Sequence, residues 1–366
     1  MNKIGLHVNW TGAPGLADFI VKARPAFILS LDHNRPFWDG VVQRLGYKPF
    51  MVGRHYFASQ PLYNPYMNAM DAWFAIKPEA ERMRGLYDAW VGYNECGLWG
   101  DAGNYNEFDE YMALWMHSDG FKYACLSAST GTPPGHQIAP GNINLWDMGG
   151  GWAPYVDAIH AADYIAIHEY DAPTMRNSET WKCLRYRRVW DILPPDCRKP
   201  ILITECGIDG GGSGLGWTRY TNAVDYAKQL EWYDSEISKD SYVVGAAVFC
   251  CGQNAEWGTF DVNGQQYIAE RMALRGGVLP EMPWNRHVVA DNWYKRFGPG
   301  YNPNDAFGGF LERNPGIRIG PAIGAVVDDP TNPYLYQYYA LAILYVKRSE
   351  WANVKVAYKE TDLPLL

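Results

Sequence analysis

Apolar positions in this chain come in short blocks rather than long stretches. Runs rich in Val, Ile, Ala and Phe recur through the first 251 residues, each entering a polar or glycine-containing loop and then a helix-compatible stretch. Eight such runs stand out, at 4–8, 26–31, 50–54, 89–93, 123–127, 164–168, 201–205 and 243–250. Their nearly continuous apolar character predicts strands buried on both faces. Between them, amphipathic stretches at 16–24, 66–85, 106–118, 153–161, 180–189 and 221–237 predict helices. Strand and helix in alternation imply a parallel sheet with right-handed crossovers. Eight repeats favour closure into a (β/α)8 barrel of the TIM type, an α/β fold, over an open sheet. No GxGxxG turn follows the first run, which agrees, since a dinucleotide-binding sheet would place one there.

The pattern changes near residue 279. Pro, Gly, Asn and Trp cluster through 279–304, and short β-like runs follow at 334–339, 343–347 and 354–358. The chain is therefore expected to divide into a catalytic barrel over 1–278 and a small β-rich C-terminal module over 279–366. Within that module GIRIGPAIG, followed by YLYQYYALAILYVKR, resembles short aromatic repeats attached to bacterial extracellular hydrolases. Carbohydrate binding is one expectation for it, and packing or assembly the other.

Composition narrows the function. Lys and Arg total 32 against 40 Asp and Glu, a formal charge of −8, and no basic run exists to neutralise phosphates, which argues against nucleic acid as a partner. No stretch reaches the ~18 consecutive apolar residues of a membrane-spanning helix, so no membrane partner is expected. The start MNKIGLHVNW lacks the apolar core of a signal peptide. Location and oligomeric state stay open. Seven cysteines, at 96, 125, 183, 197, 206, 250 and 251, form an odd set without CxxC spacing, which argues against a disulfide framework and a zinc site and reads as mostly buried thiols. Sixteen Trp, 26 Tyr and 13 Phe fill core positions first, but flat rings with polar handles also suit stacking on sugar faces.

In a barrel of this kind the reacting groups sit where strands end and the following loops begin. Those ends are polar here: His7 and Asn9 at the first, Asp32 and His33 at the second, Arg54 and His55 at the third, Asn94 and Glu95 at the fourth. Ser127 and Ser129 follow the fifth, His168, Glu169 and Tyr170 the sixth, Glu205 the seventh, and the eighth leads through CCGQN to Trp257. Glu95 in WVGYNECG and Glu205 in ILITECG arrive from strands that face each other across a closed eight-stranded barrel. Paired carboxylates are what glycoside hydrolysis needs: one gives a proton to the leaving oxygen, and the other attacks the anomeric carbon or activates water.

Asn-Glu after the fourth strand, His-x-Tyr after the sixth and Glu after the seventh together resemble the clan A glycoside hydrolases over about residues 1–278. The resemblance implies a retaining enzyme that needs no cofactor or metal and acts on a carbohydrate substrate. It also implies roles: Glu95 as general acid/base, Glu205 as nucleophile, Asn94 holding the sugar 2-hydroxyl, Tyr170 holding the nucleophile, and His168 beside it. Period-two alternation puts His168 and Tyr170 on one face of their strand and Glu169 on the other, outside the catalytic set. Asn9, Arg54 and Trp257 complete the candidate sugar-binding group. Three features depart from the clan pattern: the rim Arg follows the third strand rather than the second, Cys96 stands where Pro is frequent, and the strand-eight Trp is displaced to Trp257.

GGGSGLGW, at 210–217, lacks the Lys-Ser or Lys-Thr of a phosphate loop and is expected to form a rim loop, with Trp217 a candidate sugar platform. Trp10, Trp99 and Trp152 are further rim candidates. Two other readings have their own consequences. A non-catalytic glycan-binding barrel would bind without cutting. A metal-dependent hydrolase built on His7, His33, His55 and His168 would lose activity to a chelator.

Overall fold

Side chains on each barrel strand divide between two environments, as the pleat requires. Phe27, Leu29, Val52, Ala89, Val91, Ala124, Ala166, Leu202 and Ala247 form a closed cluster inside the barrel, where four alanines leave room for the larger rings and branched chains. Their sequence neighbours, among them Ile28, Met51, Trp90, Ile165 and Ile203, face outward into the layer shared with the helices. Gly5 is required by this packing, because a Cβ there would stand 1.6 Å from the Phe27 carbonyl oxygen.

A computed structural model describes residues 2–96, 101–139, 142–148, 150–176, 181–252, 255–275, 334–338, 343–347, 350 and 354–357. Along the chain run β1 (Ile4–Val8), α1 (Leu16–Ala23), β2 (Phe27–Ser30), α2 (Arg35–Leu45), β3 (Phe50–Arg54), α3 (Pro65–Arg82), β4 (Ala89–Val91), α4 (Ala102–Ser118) and β5 (Tyr123–Ala128). A hairpin, β6 (His136–Ala139) and β7 (Asn142–Asn144), precedes α5 (Val156–Ala161), β8 (Tyr164–Asp171), α6 (Arg185–Ile192), β9 (Ile201–Ile208), α7 (Ala223–Ile237), β10 (Val243–Cys251) and α8 (Gln266–Arg275). The barrel closes in the order β1-β10-β9-β8-β5-β4-β3-β2, and neighbours pair in parallel. This is the (β/α)8 barrel. No described helix is long and apolar enough to cross a membrane.

All eight expected strands are present, β1 and β3 with the expected ends and the others with ends shifted. β8 runs past its apolar block because Glu169, Tyr170 and Asp171 stay in the ladder with Cys206, Gly207 and Ile208 of the lengthened β9, β10 gains Cys251, and β4 stops at Val91, two residues before the expected 93. The helix expected at 153–161 opens with a 3-10 turn, Ala153–Tyr155. The one expected at 180–189 starts only at Arg185, because Leu184 has a left-handed φ of 64°. Asn34, Asn64 and Asn222 start α2, α3 and α7 by accepting backbone N–H groups of the first turn, and Pro follows the first two.

Glu169 explains the late start of α6. It faces away from the barrel interior and accepts hydrogen bonds from the N–H groups of Leu184 and Tyr186, both at 2.7 Å, and from the Tyr233 hydroxyl at 2.5 Å. Burial pushes its pKa up to about 7 against these bonds. Asp109, which accepts from the Tyr123 hydroxyl and the Leu126 N–H, is likewise pushed up by burial to about 7. The unfolded chain gives up both protons near pH 4, so the stability these protonated acids contribute is full below that and is lost as pH rises through about 7. Glu169→Ala strands three buried donors and is expected to lower the unfolding free energy by about 3 kcal/mol or more in urea titration. A loss below about 1 kcal/mol, the size of a single surface hydrogen bond, would contradict the anchoring role.

The chain divides into two compact units, Met1–Leu279 and Pro280–Leu366. In the second, β11 (Tyr334–Tyr338), β12 (Ile343–Lys347) and β13 (Lys355–Ala357) form an antiparallel sheet in chain order. Leu344 and Val346 are buried and Lys347 exposed, the alternation of a half-buried strand. GIRIGPAIG lies outside the described residues.

Candidate active site

The C-terminal ends of β1, β3, β8 and β9 and the turn after β4 bring one polar cluster to the barrel mouth. Glu205 on β9 lies at its centre, with a side chain only 9% exposed. Its Oε1 accepts from Nη1 of Arg54 on β3, which also donates to Asn94 Oδ1 at 2.7 Å. Its Oε2 accepts from the Tyr170 hydroxyl at 2.6 Å. His168 Nδ1 lies 2.7 Å from Glu95 Oε1 and 3.6 Å from Glu205 Oε2, so one ring N–H stands between the two carboxylates. Burial works to raise the pKa of Glu205, but the neighbouring His168 imidazole and Arg54 guanidinium outweigh it and hold the carboxyl well below the usual range. Burial and the Glu205 charge push the Tyr170 phenol well above its ordinary value, so it keeps its proton and donates.

His7 is the hidden member of this network. Its Nε2 faces Arg54 Nη2 at 2.8 Å, a donor that cannot accept, and its Nδ1 faces Asn9 Oδ1 at 2.6 Å. Nε2 therefore carries the lone pair and Nδ1 the proton. Burial first, then the Arg54 charge, lowers its pKa to about 3. The ring is expected to stay neutral, with imidazole resonances that do not titrate between about pH 5 and 8; an NMR midpoint near the ordinary ~6.5 would contradict this tautomer. The linkage sign follows: the stability that neutral His7 contributes is present above its unfolded pKa of 6.5 and is lost as pH falls toward 3.

Glu95 differs from Glu205 in exposure and in backbone conformation. Its side chain is 41% exposed, and its backbone has φ 54°, a left-handed conformation that is costly for a residue with a Cβ. Its N–H donates to the Ser127 carbonyl at 3.1 Å, and Ser127 and Leu126 are themselves left-handed, at φ 38° and 77°. Tyr105 and Asp109 hold Leu126 from below through its carbonyl and N–H. Gln60, which nothing in the sequence singled out, grips the preceding residue: its amide oxygen accepts from the Asn94 N–H at 2.5 Å, and its amide nitrogen donates to the Asn94 carbonyl at 3.1 Å.

Asn9, Arg54, Asn94, Tyr170 and Glu205 thus share one hydrogen-bonded network that runs through His7, and the hydrogen-bonded pair His168–Glu95 joins it through the 3.6 Å contact of His168 with Glu205. Trp257 packs against the cluster of Tyr170, Phe249, Cys250 and Phe260 beside it. Its ring packs on Phe249 at 5.3 Å, and Phe249 in turn contacts His7 at 5.0 Å and Tyr170 at 6.3 Å. Phe249, another residue sequence reasoning missed, pairs with His7 in the β1–β10 register. Two aromatic expectations are corrected. Trp217 is buried, stacked on Tyr226 at 5.0 Å with its indole N–H on the Phe260 carbonyl, and Trp152 is fully buried. Neither can face a sugar. Trp10 is 51% exposed, and Trp99 lies outside the described residues. The seven cysteines are free, six of them buried.

One oxygen from each of Glu95 and Glu205 and a nitrogen of His168 lie within 4.8 Å of one another, a set able to hold a divalent cation. Arg54 already neutralises Glu205, which weakens that possibility electrostatically.

No protein-family model matches the sequence, and neither does any curated protein. Solved structures do match. A family 39 glycoside hydrolase from the gut symbiont Bacteroides cellulosilyticus WH2 aligns over 95% of this chain and 71% of its own, at 12% identity and TM-score 0.51. A glucosidase from Croceicoccus marinus aligns over 75% and 67%, at 11% identity and TM-score 0.50. A GH128 (subgroup I) endo-beta-1,3-glucanase from Amycolatopsis mediterranei aligns over 75% and 99%, at 14% identity and TM-score 0.46. At these identities the first two likenesses are of fold, and the (β/α)8 barrel of this chain is the fold they share.

Proposed function

We propose that this protein is a retaining glycoside hydrolase that cleaves β-linked glycosidic bonds in an oligo- or polysaccharide by double displacement, with its site in the barrel of 1–278. The observation that carries the reading is the pairing of an ionised, buried Glu205 with an open-faced Glu95. Their nearest carboxylate oxygens come within 4.8 Å. Retaining enzymes hold the two carboxyl groups about 5–5.5 Å apart, whereas inverting ones leave about 6.5–9.5 Å for a water. Oxygens that close leave little room for an interposed water, in keeping with retention.

In the first step Glu205 attacks the anomeric carbon, and the C–O bond to the leaving group breaks as Glu95 gives that oxygen its proton. In the second, Glu95 takes a proton from water, whose oxygen displaces Glu205 and releases the sugar. His168 and Arg54 keep Glu205 ionised, and the hydrogen bonds of Arg54 and Tyr170 aim it. Asn94, oriented by Arg54 and Gln60, is placed to meet the sugar hydroxyl next to the anomeric carbon. His7, locked by Asn9, fixes Arg54 from behind. No step calls for a cofactor. The two fold neighbours named above with the higher scores are sugar-cleaving enzymes by name, in keeping with this reading.

A non-catalytic glycan binder is the second reading, but binding alone gives no reason to hold one carboxylate ionised in a buried site against its desolvation cost. The test is incubation with a panel of β-linked polysaccharides and aryl β-glycosides, with and without EDTA. Release of reducing ends, indifferent to the chelator, is expected. Glycan binding without release would favour the binder, and loss to EDTA the metal-dependent hydrolase.

A further inference from the structure

At the other end of the barrel, where loops feed the N-terminal ends of β8 and β9, three side chains converge that the hydrolase chemistry does not use. His160 stands in the last turn of α5, and Asp196 and Cys197 lie in the 3-10 turn Pro195–Cys197. His160 Nε2 lies 3.1 Å from Cys197 Sγ and 3.5 Å from Asp196 Oδ2, and the three atoms all fall within 4.8 Å of one another. We propose that His160, Asp196 and Cys197 are the protein ligands of a divalent metal site, suited to Zn²⁺.

The argument rests on where the atoms point. One imidazole nitrogen has a single proton or a single lone pair, so Nε2 meets a thiol and a carboxylate together without an ion only by dividing one proton between them. In a nucleophilic relay the carboxylate would meet Nδ1 and leave Nε2 to the thiol. Here both converge on the same nitrogen, the arrangement expected around a shared ion. Tetrahedral Zn²⁺ with bonds of about 2.0–2.3 Å sets its ligand atoms roughly 3.3–3.6 Å apart, close to the two separations seen. Imidazole nitrogen, thiolate sulfur and carboxylate oxygen form a borderline set, whereas Mg²⁺ and Ca²⁺ favour oxygens alone.

The surroundings are built to hold these positions. Cys197 is buried and its N–H bonds the Pro194 carbonyl at 2.9 Å, and Lys199 Nζ donates to the His160 carbonyl at 3.0 Å, pinning the end of α5. The side chains of His160 and Asp196 are 44% and 70% exposed, which leaves an open side for a water as fourth ligand. Carboxylate and thiolate together balance the charge of the ion, so the nearby Lys199 cation is tolerated. The CxxC rule that argues against a zinc site reads local spacing and does not see ligands 36 positions apart that the αβ loops bring together.

The test uses the whole chain, stripped with chelator, dialysed and titrated with Co²⁺ and then Zn²⁺. One equivalent of Co²⁺ is expected to bind with a thiolate-to-cobalt charge-transfer band that Zn²⁺ abolishes. Cys197→Ser removes the band, and His160→Gln, on an exposed side chain whose loss the fold tolerates, weakens Zn²⁺ by at least ~100-fold, above the ~10–100-fold of outer partners. Glu205→Gln leaves both readouts unchanged. Absence of the thiolate band in the wild type overturns the proposal, as does binding that survives Cys197→Ser and His160→Gln but is lost in Glu205→Gln, which would put the ion at the barrel mouth.

Discussion

Glu205→Gln is expected to reduce turnover by at least ~10⁴-fold on any substrate the wild type cleaves, the scale of loss when a covalent nucleophile is removed. The amide matches the carboxylate in shape and can still accept from Tyr170, but it cannot form the glycosyl ester. Substrate affinity is expected to change little, since the sugar-facing groups remain. The substitution also leaves the Arg54 guanidinium, only 8% exposed, facing a neutral partner. Some stability is lost with it, so circular dichroism and urea titration must accompany the kinetics. A folded Glu205→Gln variant with wild-type kcat would remove Glu205 from the reaction.

Glu95→Ala should behave differently, and the difference is diagnostic of an acid/base. For polysaccharides and for aryl glycosides with basic leaving groups, kcat/KM is expected to fall by about 10²–10⁴-fold, the usual contribution of general acid catalysis. For a dinitrophenyl β-glycoside, whose leaving oxygen needs no proton, the first step survives and the second becomes slow, because no base activates water. Added azide, which needs no deprotonation, should then restore turnover and give the β-glycosyl azide. The exposure of Glu95 at the mouth leaves a path for that anion. Uniform loss across leaving groups with no azide rescue would reduce Glu95 to a partner of His168.

Sequence reading found what depends on local pattern. The eight strands were legible because each is an apolar block bounded by loops, and Glu95, Glu205, His168 and Tyr170 because strand ends and period-two alternation place them. Long-range contacts were not legible. Arg54 comes from the third strand and its reach to both Asn94 and Glu205 depends on barrel closure; His7 resembles any strand-end histidine until Arg54 fixes its tautomer. Gln60 lies in an irregular loop without motif or period. The expectations for Trp152 and Trp217 failed for the same reason: nothing local distinguishes Trp217, stacked on Tyr226, from exposed Trp10. Even the start of α6 is set by Glu169 on the sixth barrel strand, not by a cap in its own sequence.

The central claim is a covalent bond between Glu205 and sugar, and trapping tests it most directly. Incubation with a 2-deoxy-2-fluoro β-glycoside bearing a dinitrophenolate leaving group, matched to whichever sugar the substrate panel identifies, should inactivate the enzyme with one equivalent of phenolate released. Peptide mass spectrometry should then find the fluorosugar on Glu205 in ILITECG. An adduct on another residue, or turnover with inverted anomeric configuration and no adduct, would contradict the account.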